Sequence, residues 1–124
     1  MSAHRFWARL RFLKKFKRLE ELILDHNELT VSRLKLPALP MLTTLWLNNN
    51  ALDDLAAVIA AVRSAAPRLE HLSLLGNPLA PNYMNGGSVL HYISYRHRVI
   101  VQLPGLVSLD CSVITADERD GTAT

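Results

Sequence analysis

Leucines recur along this chain at one fixed spacing. The pattern L-x-x-L-x-L-x-x-N-x-L occurs at Leu19–Leu29, Leu42–Leu52 and Leu69–Leu79. Alternate residues of a strand face opposite sides, so the central L-x-L of each copy predicts a short strand whose leucines point inward. One copy cannot bury its leucines alone, and we therefore expect the copies to stack with their strands aligned in a parallel sheet.

The Asn that follows each predicted strand completes the signature of leucine-rich repeats. This signature predicts an α/β solenoid: a short curved right-handed coil with a parallel sheet on its concave face and helices or irregular turns on its convex face. Asn27, Asn50 and Asn77 can both donate and accept hydrogen bonds, so we expect them to satisfy backbone groups where the chain turns. Solenoids commonly hold protein partners on the concave face, which makes binding the expected function.

The intervals between the copies predict two helices. After the second copy, Asp53 or Asp54 is expected to cap a helix that runs to about Ala66. Its expected buried stripe consists of Leu55, Ile59, Val62 and Ala66. After the third copy, the segment from Ser88 to Gln102 is predicted to form the second helix. The candidates for its inner face are Leu90, Ile93, His97 or Val99, and Ile100.

The C-terminal end holds a degenerate copy that is expected to cap the solenoid. Cys111 occupies the position of an inward leucine in this copy, so we expect its side chain to be buried. Thr115 and Glu118 have the spacing of a capping box for a last helical turn. The predicted organisation is therefore a basic N-terminal segment or cap at residues 1–18, leucine-rich repeats at 19–105, and a C-terminal cap and tail at 106–124.

The formal net charge of +3 hides an asymmetry. Residues 1–18 hold seven Lys or Arg and no acid, whereas the rest of the chain holds seven Lys or Arg against 11 Asp or Glu. Phe6, Leu10 and Leu13 lie at helical spacing, and the simplest interpretation is a helix that covers the first strand. Weak contact with an anionic membrane, an organelle transit sequence and the remnant of an upstream repeat stay open as alternatives. The repeat body is mildly acidic, so we expect no direct contact with nucleic acid.

The sequence offers no recognisable catalytic or metal-binding pattern. The five histidines lack metal-ligand spacing, and no HExxH, CxxC or GxSxG motif is present. We therefore predict no enzymatic activity, no catalytic residue, no metal and no cofactor. No run of about 18 apolar residues occurs, so no transmembrane segment is expected. A single cysteine excludes an internal disulfide and favours an intracellular, cytoplasmic location.

The outward positions of the three predicted strands form the candidate partner-binding surface. They are Glu21, Ile23, Asp25, Thr44, Trp46, Asn48, His71, Ser73 and Leu75, and the degenerate copy continues these rows with Ser108, Asp110 and Ser112. Trp46 is the expected anchor, because an aromatic residue beside an apolar neighbour, here Ile23, is typical of a binding hot spot. The alternative is that Trp46 packs against the N-terminal segment.

The C-terminal residues resemble a known cap. The matching positions are Tyr95, Arg96, Val99, Ile100, Leu103, Pro104, Leu106, Leu109, Asp110, Val113, Thr115, Glu118 and Arg119. They are similar to the cap of intracellular leucine-rich repeat proteins, a cap that also occurs in the leucine-rich subunit of the spliceosomal ribonucleoprotein that recognises the branch site. The segments LEELILDHNEL, LPALPMLTTLWLNNN and PRLEHLSLLGNPLAPN resemble more closely the family of leucine-rich melanocyte differentiation-associated proteins.

The closer resemblance covers about residues 13–119. It implies a cytosolic, non-enzymatic adaptor linked to pigment-cell differentiation and to trafficking that supplies lysosome-related organelles. That family carries a further repeat upstream, where this chain has its basic segment instead. The resemblance to the spliceosomal subunit implies the alternative, a ribonucleoprotein component that binds an RNA-binding protein. We therefore expect a protein-protein interaction adaptor that holds its partner on the concave face.

Overall fold

Five short strands form one sheet in the computed structural model, which describes residues 10–81 and 88–121. The strands are β1 (Glu21–Ile23), β2 (Thr44–Trp46), β3 (His71–Ser73), β4 (Ser108–Leu109) and β5 (Ser112–Val113). The first four pair in parallel and in chain order, and β5 pairs antiparallel with β4. The register aligns the first leucine of each strand, in the order Leu22, Leu45, Leu72 and Leu109. The predicted parallel sheet of stacked repeats is therefore confirmed.

The second leucine of each repeat lies at the centre of the core. Leu24, Leu47 and Leu74 are all 0% exposed. Their positions are held by the neighbouring repeat, since the Leu24 N–H donates to the Trp46 carbonyl at 2.8 Å and the Leu47 N–H donates to the Ser73 carbonyl at 2.9 Å. Complete burial of a leucine contributes about 2 kcal/mol of hydrophobic stabilisation. Stacking therefore supplies the burial that one repeat could not achieve.

The repeat asparagines form a ladder that satisfies the backbone, as the sequence predicted. Asn50 is 9% exposed, and its Oδ1 accepts from the N–H groups of Asn27 at 2.8 Å and Leu29 at 3.0 Å. Its Nδ2 donates to the carbonyls of Leu24 at 3.0 Å and Leu47 at 2.9 Å. Asn77 repeats this role one turn further on, since its Oδ1 accepts from the Leu52 N–H at 3.1 Å. Asn50 and Asn77 are therefore structural links between repeats.

The first helix of the convex side, α1 (Leu55–Ala65), begins and ends as predicted. Asp54 caps it, because its side chain accepts a hydrogen bond from the Ala57 N–H at 3.2 Å. The predicted stripe of Leu55, Ile59, Val62 and Ala66 is buried. The preceding interval contains only one turn of 3₁₀ helix, Val31–Arg33, so the convex side mixes helix with irregular turns.

The second helix, α2 (Val89–Gln102), has the predicted bounds but a different inner face. Ser88 caps it, and Val99 and Ile100 are buried, while His97 is only half-buried. The prediction for Leu90 and Ile93 is wrong, since these side chains are 76% and 56% exposed. The buried stripe instead begins at Tyr95 and Arg96, which are 3% and 6% exposed. Both residues bury polar tips against partners in the C-terminal cap, so the helix is rotated away from its most apolar side.

The C-terminal cap corrects the prediction for Cys111. This residue is exposed, because the chain turns back before it can continue as a strand. Asp110 and Cys111 adopt positive φ values of 54° and 64°, which form a two-residue hairpin between β4 and β5. A short helix, α3 (Ala116–Gly121), follows. Half of its predicted capping box is present, with the Glu118 N–H donating to Thr115 Oγ1 at 3.0 Å.

The described part of the N-terminal segment packs on the repeats. A 3₁₀ helix occupies Leu10–Lys15, and Leu10 is 2% exposed within the same core as the repeat leucines. Leu13 packs against that core, whereas Phe12 and Phe16 are exposed. Phe6 lies outside the described residues. The helical spacing therefore identified the two leucines that meet the first repeat. In residues 10–81 and 88–121, no helix is long and apolar enough to cross a membrane.

Candidate binding face

The outward positions of the strands form one surface, here named the sheet face. Its residues form rows that run across the strands in register. One row consists of Glu21, Thr44, His71 and Ser108, and the next consists of Ile23, Trp46 and Ser73. Glu21, Ile23 and Leu75 are exposed, and Asp25, Thr44, Trp46 and His71 are half-buried. Seven of the nine residues predicted for partner binding are therefore at least partly accessible on this face.

The apolar part of the sheet face lies at the β1–β2 pair. Ile23 is 49% exposed and pairs directly with the half-buried Trp46. Neighbouring strands are about 4.8 Å apart, so these two side chains present a continuous apolar patch. Large aromatic groups with an apolar neighbour are the usual anchors of protein interfaces.

A small cavity of about 160 Å³ opens beside Trp46. Its lining consists of Thr44, Trp46, His71, Leu72, Ser108 and Cys111. Within it, His71 Nδ1 and Ser108 Oγ lie 2.7 Å apart in a hydrogen bond. The exposed thiol of Cys111 was missed by the sequence analysis, which placed it in the core. The only available signal was the short Asp110–Cys111 connection, because a tight hairpin removes the residue from the inward row.

The structure corrects the prediction for two residues of this surface, Asn48 and Ser73. Both were expected to face a partner, but they are 8% and 1% exposed. Ser73 Oγ donates to Asn48 Oδ1 at 2.7 Å, and the Leu75 N–H donates to the same oxygen at 2.8 Å. Asp25 Oδ1 accepts from the Asn48 N–H at 2.8 Å. Asn48 and Ser73 are therefore used in joining repeats and are not part of the accessible surface.

Asp110 was also expected to lie in an outward row, and it is only 7% exposed. Its Oδ1 accepts from the Leu74 N–H at 2.7 Å, and its Oδ2 accepts from the Tyr95 hydroxyl at 3.0 Å. Burial raises the pKa of the Asp110 carboxyl, and these two hydrogen bonds oppose the rise. Burial also raises the pKa of Tyr95, so the hydroxyl stays protonated and keeps donating. This pair fastens the cap to the last full repeat.

The described residues contain no group of three or more His, Cys, Asp or Glu that could hold a metal ion. The sheet face instead combines an apolar patch at Ile23 and Trp46 with the carboxylates of Glu21 and Asp25. Its predicted rows contain no Lys or Arg. This arrangement can bury a side chain and attract a cationic group.

The stacked repeats, the asparagine ladder and the parallel sheet define this chain as a leucine-rich repeat protein. In sequence it is similar to leucine-rich melanocyte differentiation-associated protein from Homo sapiens, with 43% identity over 110 residues. The match covers 87% of this chain and 55% of the human protein, so the chain spans about half the length of that relative. No family model matches the sequence.

Two solved structures share the fold. A chain from the structure of Chaetomium Mex67:Mtr2 subunits has a TM-score of 0.59 and 23% identity, covering 98% of this chain and 78% of that chain. A chain from the Drosophila melanogaster SNF/U2A' complex has a TM-score of 0.51 and 22% identity, covering 88% of this chain and 69% of that chain. At these identities the likeness concerns the fold alone.

Proposed function

We propose that this protein is a non-enzymatic adaptor that binds a partner protein through the sheet face, the surface predicted to be concave. The observation that carries the proposal is the pairing of the half-buried Trp46 with the exposed Ile23 on an outward row. An apolar patch in the middle of a polar surface gains stability when another protein covers it.

The charge of the sheet face restricts the partner. Glu21 begins β1 and Asp25 lies two residues after its end, so the two acids flank the apolar patch, and no basic residue lies in the predicted rows. A partner segment with a Lys or Arg next to an apolar residue would complement this pattern. The same charge opposes direct contact with the phosphate backbone of RNA.

The proposed process comes from the human relative. That protein is named for melanocyte differentiation, and the shared region covers 87% of this chain. We propose that this protein acts in the same process, and in the trafficking to lysosome-related organelles that the sequence resemblance implied. The expected cytoplasmic location and the absence of enzymatic activity stay predictions.

The alternative is a role in a spliceosomal ribonucleoprotein through an RNA-binding protein partner. The chain from the SNF/U2A' complex supports this alternative only at the level of the fold, because its identity is 22%. Co-purification of small nuclear RNA with the protein would favour the alternative over the adaptor.

Affinity capture from pigment cells with tagged protein, followed by mass spectrometry, tests the proposal. Trp46→Ala should keep the fold and reduce capture of the partner about tenfold or more, as expected for loss of a hot-spot anchor. Phe16→Ala is the matched control, since Phe16 is 48% exposed and lies outside the sheet. Equal capture by wild type and Trp46→Ala would reject the sheet face as the binding surface.

A further inference from the structure

A groove runs between α1 and α2 on the convex side, away from the sheet face. One part is a cavity of about 350 Å³ whose α1 wall includes Ala56 and Ala60. These two residues are four apart and therefore lie on the same side of the helix. Their short side chains leave the space open above Ile59, which is 5% exposed and forms an apolar floor.

The groove continues toward the C-terminal ends of the two helices. A second cavity of about 450 Å³ shares Arg63, Val101 and Gln102 with the first. Arg63 Nη1 donates to Gln102 Oε1 at 2.9 Å, which links α1 with α2 where the two cavities meet. The α2 residues that line the cavities lie between His97 and Gln102, while the whole helix has 14 residues and a length of about 21 Å. Because the two cavities follow one another along the helices, the surface suits an elongated segment better than a small molecule.

The rim of the groove is cationic. Arg63 and Arg98 are exposed, His97 is half-buried, and the lining of the two cavities contains no Asp or Glu. Among the described residues, neither arginine forms an ion pair with a carboxylate, in contrast to Arg96, which pairs with Glu118. The groove therefore lacks the negative charges that would complement it, and a partner would have to supply them.

An apolar stripe continues the α2 wall beyond the two cavities, whose lining includes Val101 but not Leu90 or Ile93. Leu90, Ile93 and Val101 are 76%, 56% and 54% exposed, and they share one side of the helix with His97. The sequence pattern had placed Leu90 and Ile93, but not Val101, on the inner face of this helix. Leu90, Ile93 and Val101 give this wall an apolar side, and Arg98 adds a positive charge near its C-terminal end.

We propose that this groove binds an acidic amphipathic helix of a partner protein, with the apolar face of that helix against Leu90, Ile93 and Val101 and its carboxylates facing Arg63 and Arg98. Helices that lie in grooves present apolar residues at positions i, i+3 or i+4 and i+7. On α2, Leu90, Ile93 and Val101 lie at i, i+3 and i+11 with His97 at i+7, so they form one side of that helix for such a segment to cover. A recessed groove excludes a flat membrane surface from its floor. The site is separate from the sheet face and does not depend on the function proposed for it.

Nuclear magnetic resonance titration of the isotope-labelled full chain tests this inference. The probe is a synthetic helical peptide of about 14 residues, the length of α2, with leucines at positions i, i+3 or i+4 and i+7 and with flanking glutamates. A matched peptide carries lysine at every glutamate position. We expect the acidic peptide to shift the amide signals of Ala60, Arg63 and Val101, and the lysine peptide to leave them unchanged.

Two variants and one control complete the test. The double substitution R63E/R98E should weaken binding of the acidic peptide about tenfold or more, because two attractive contacts become repulsive. Lys17→Glu with Lys35→Glu makes the same change in net charge at exposed residues outside the groove and should leave binding unchanged. Ala60→Trp fills the groove without altering charge and should also abolish binding.

The inference is overturned if the acidic peptide does not bind, if the lysine peptide binds equally well, or if the shifts fall on the sheet face. Equal weakening by the control double variant would show a nonspecific charge effect and would also reject the site. Binding of phosphatidylserine vesicles that is lost in R63E/R98E, without binding of the peptide, would replace the helix with an anionic membrane as occupant. Trp46→Ala should not change the titration, which separates this result from a failure of the sheet face.

Discussion

The guanidinium of Arg96 is held by the carboxylate of Glu118, with Nε donating to Oε2 at 2.6 Å and Nη2 donating to Oε1 at 2.9 Å. Arg96 Nη1 also donates to the Leu109 carbonyl at 2.9 Å, at the end of β4. One side chain on α2 therefore joins the last parallel strand to α3. This bidentate pair explains why Glu118 does not complete its predicted capping box: its carboxylate is committed to Arg96.

Glu118→Gln is expected to destabilise the protein by about 1–3 kcal/mol, because the Arg96 side chain is only 7% exposed and would lose its charged partner. Urea unfolding at neutral pH measures this difference. Glu118→Asp tests whether the geometry matters, since it keeps the charge but shortens the reach. A Glu118→Gln variant as stable as wild type at neutral pH would show that the pair does not fasten the cap.

The same pair predicts a dependence on pH. The hydrogen bond from Arg96 lowers the pKa of Glu118 below its usual value of 4.5. A carboxylate with a lowered folded-state pKa contributes stability that is complete above its unfolded pKa and is lost as the pH falls through the folded pKa. The stability advantage of wild type over Glu118→Gln should therefore be constant near neutrality and shrink below about pH 4.5. An advantage that grows on acidification would contradict this assignment.

Asn50→Ala should be among the most damaging substitutions of a polar residue. It would leave the N–H groups of Asn27 and Leu29 and the carbonyls of Leu24 and Leu47 without their side-chain partner. Each buried group left unsatisfied costs about 1–3 kcal/mol, so we expect a total loss of at least about 3 kcal/mol in chemical denaturation.

Asn27→Ala provides the matched control within the same ladder. Asn27 is half-buried, and its Nδ2 donates only to the Asp25 carbonyl at 3.0 Å. Its loss should cost about 1 kcal/mol. Equal destabilisation by the two substitutions would mean that the ladder bonds of Asn50 contribute little beyond the ordinary cost of losing an asparagine.

The repeat core could be predicted from the sequence because two independent patterns agree there. The spacing of Leu24, Leu47 and Leu74 identifies the repeat, and the alternation within each strand assigns their direction. The position of Trp46 on the sheet face follows from the same alternation. Whether a partner binds there cannot be read from the pattern, because an exposed aromatic residue does not reveal what covers it.

The remaining misassignments have a common physical cause. Three residues at outward positions are buried, namely Asn48, Ser73 and Asp110. Each of them forms a hydrogen bond with a neighbouring repeat, either as acceptor or as donor. The phase of α2 was missed because hydropathy ranks Leu90 and Ile93 above Tyr95 and Arg96. Polar groups can enter a core when their partners are present, and those partners lie 13 to 22 residues further along the chain.

Gly76→Ala is expected to destabilise the repeat turn by about 1–3 kcal/mol. Gly76 has a φ of +74°, and a Cβ there would overlap Oδ1 of Asn49 and lie 3.3 Å from the Asn49 Cα. Thermal unfolding should show the loss. Gly105→Ala is the control, because the nearest atom to its added Cβ is the Leu69 carbonyl oxygen at 4.0 Å. We expect that substitution to be neutral or slightly stabilising, and equal losses at both sites would refute the steric argument.

Cys111 offers a direct test of the corrected cap. Its thiol is exposed and lines the cavity beside Trp46, whereas the sequence pattern placed it in the core. The native protein should therefore react with a maleimide at its single cysteine without denaturant, at a rate close to that of the unfolded chain. Since an attached group would occupy the cavity, labelling should also weaken partner capture, and Cys111→Ser should restore capture in treated protein. A thiol that reacts only after unfolding would show that the hairpin at Asp110 and Cys111 is wrong.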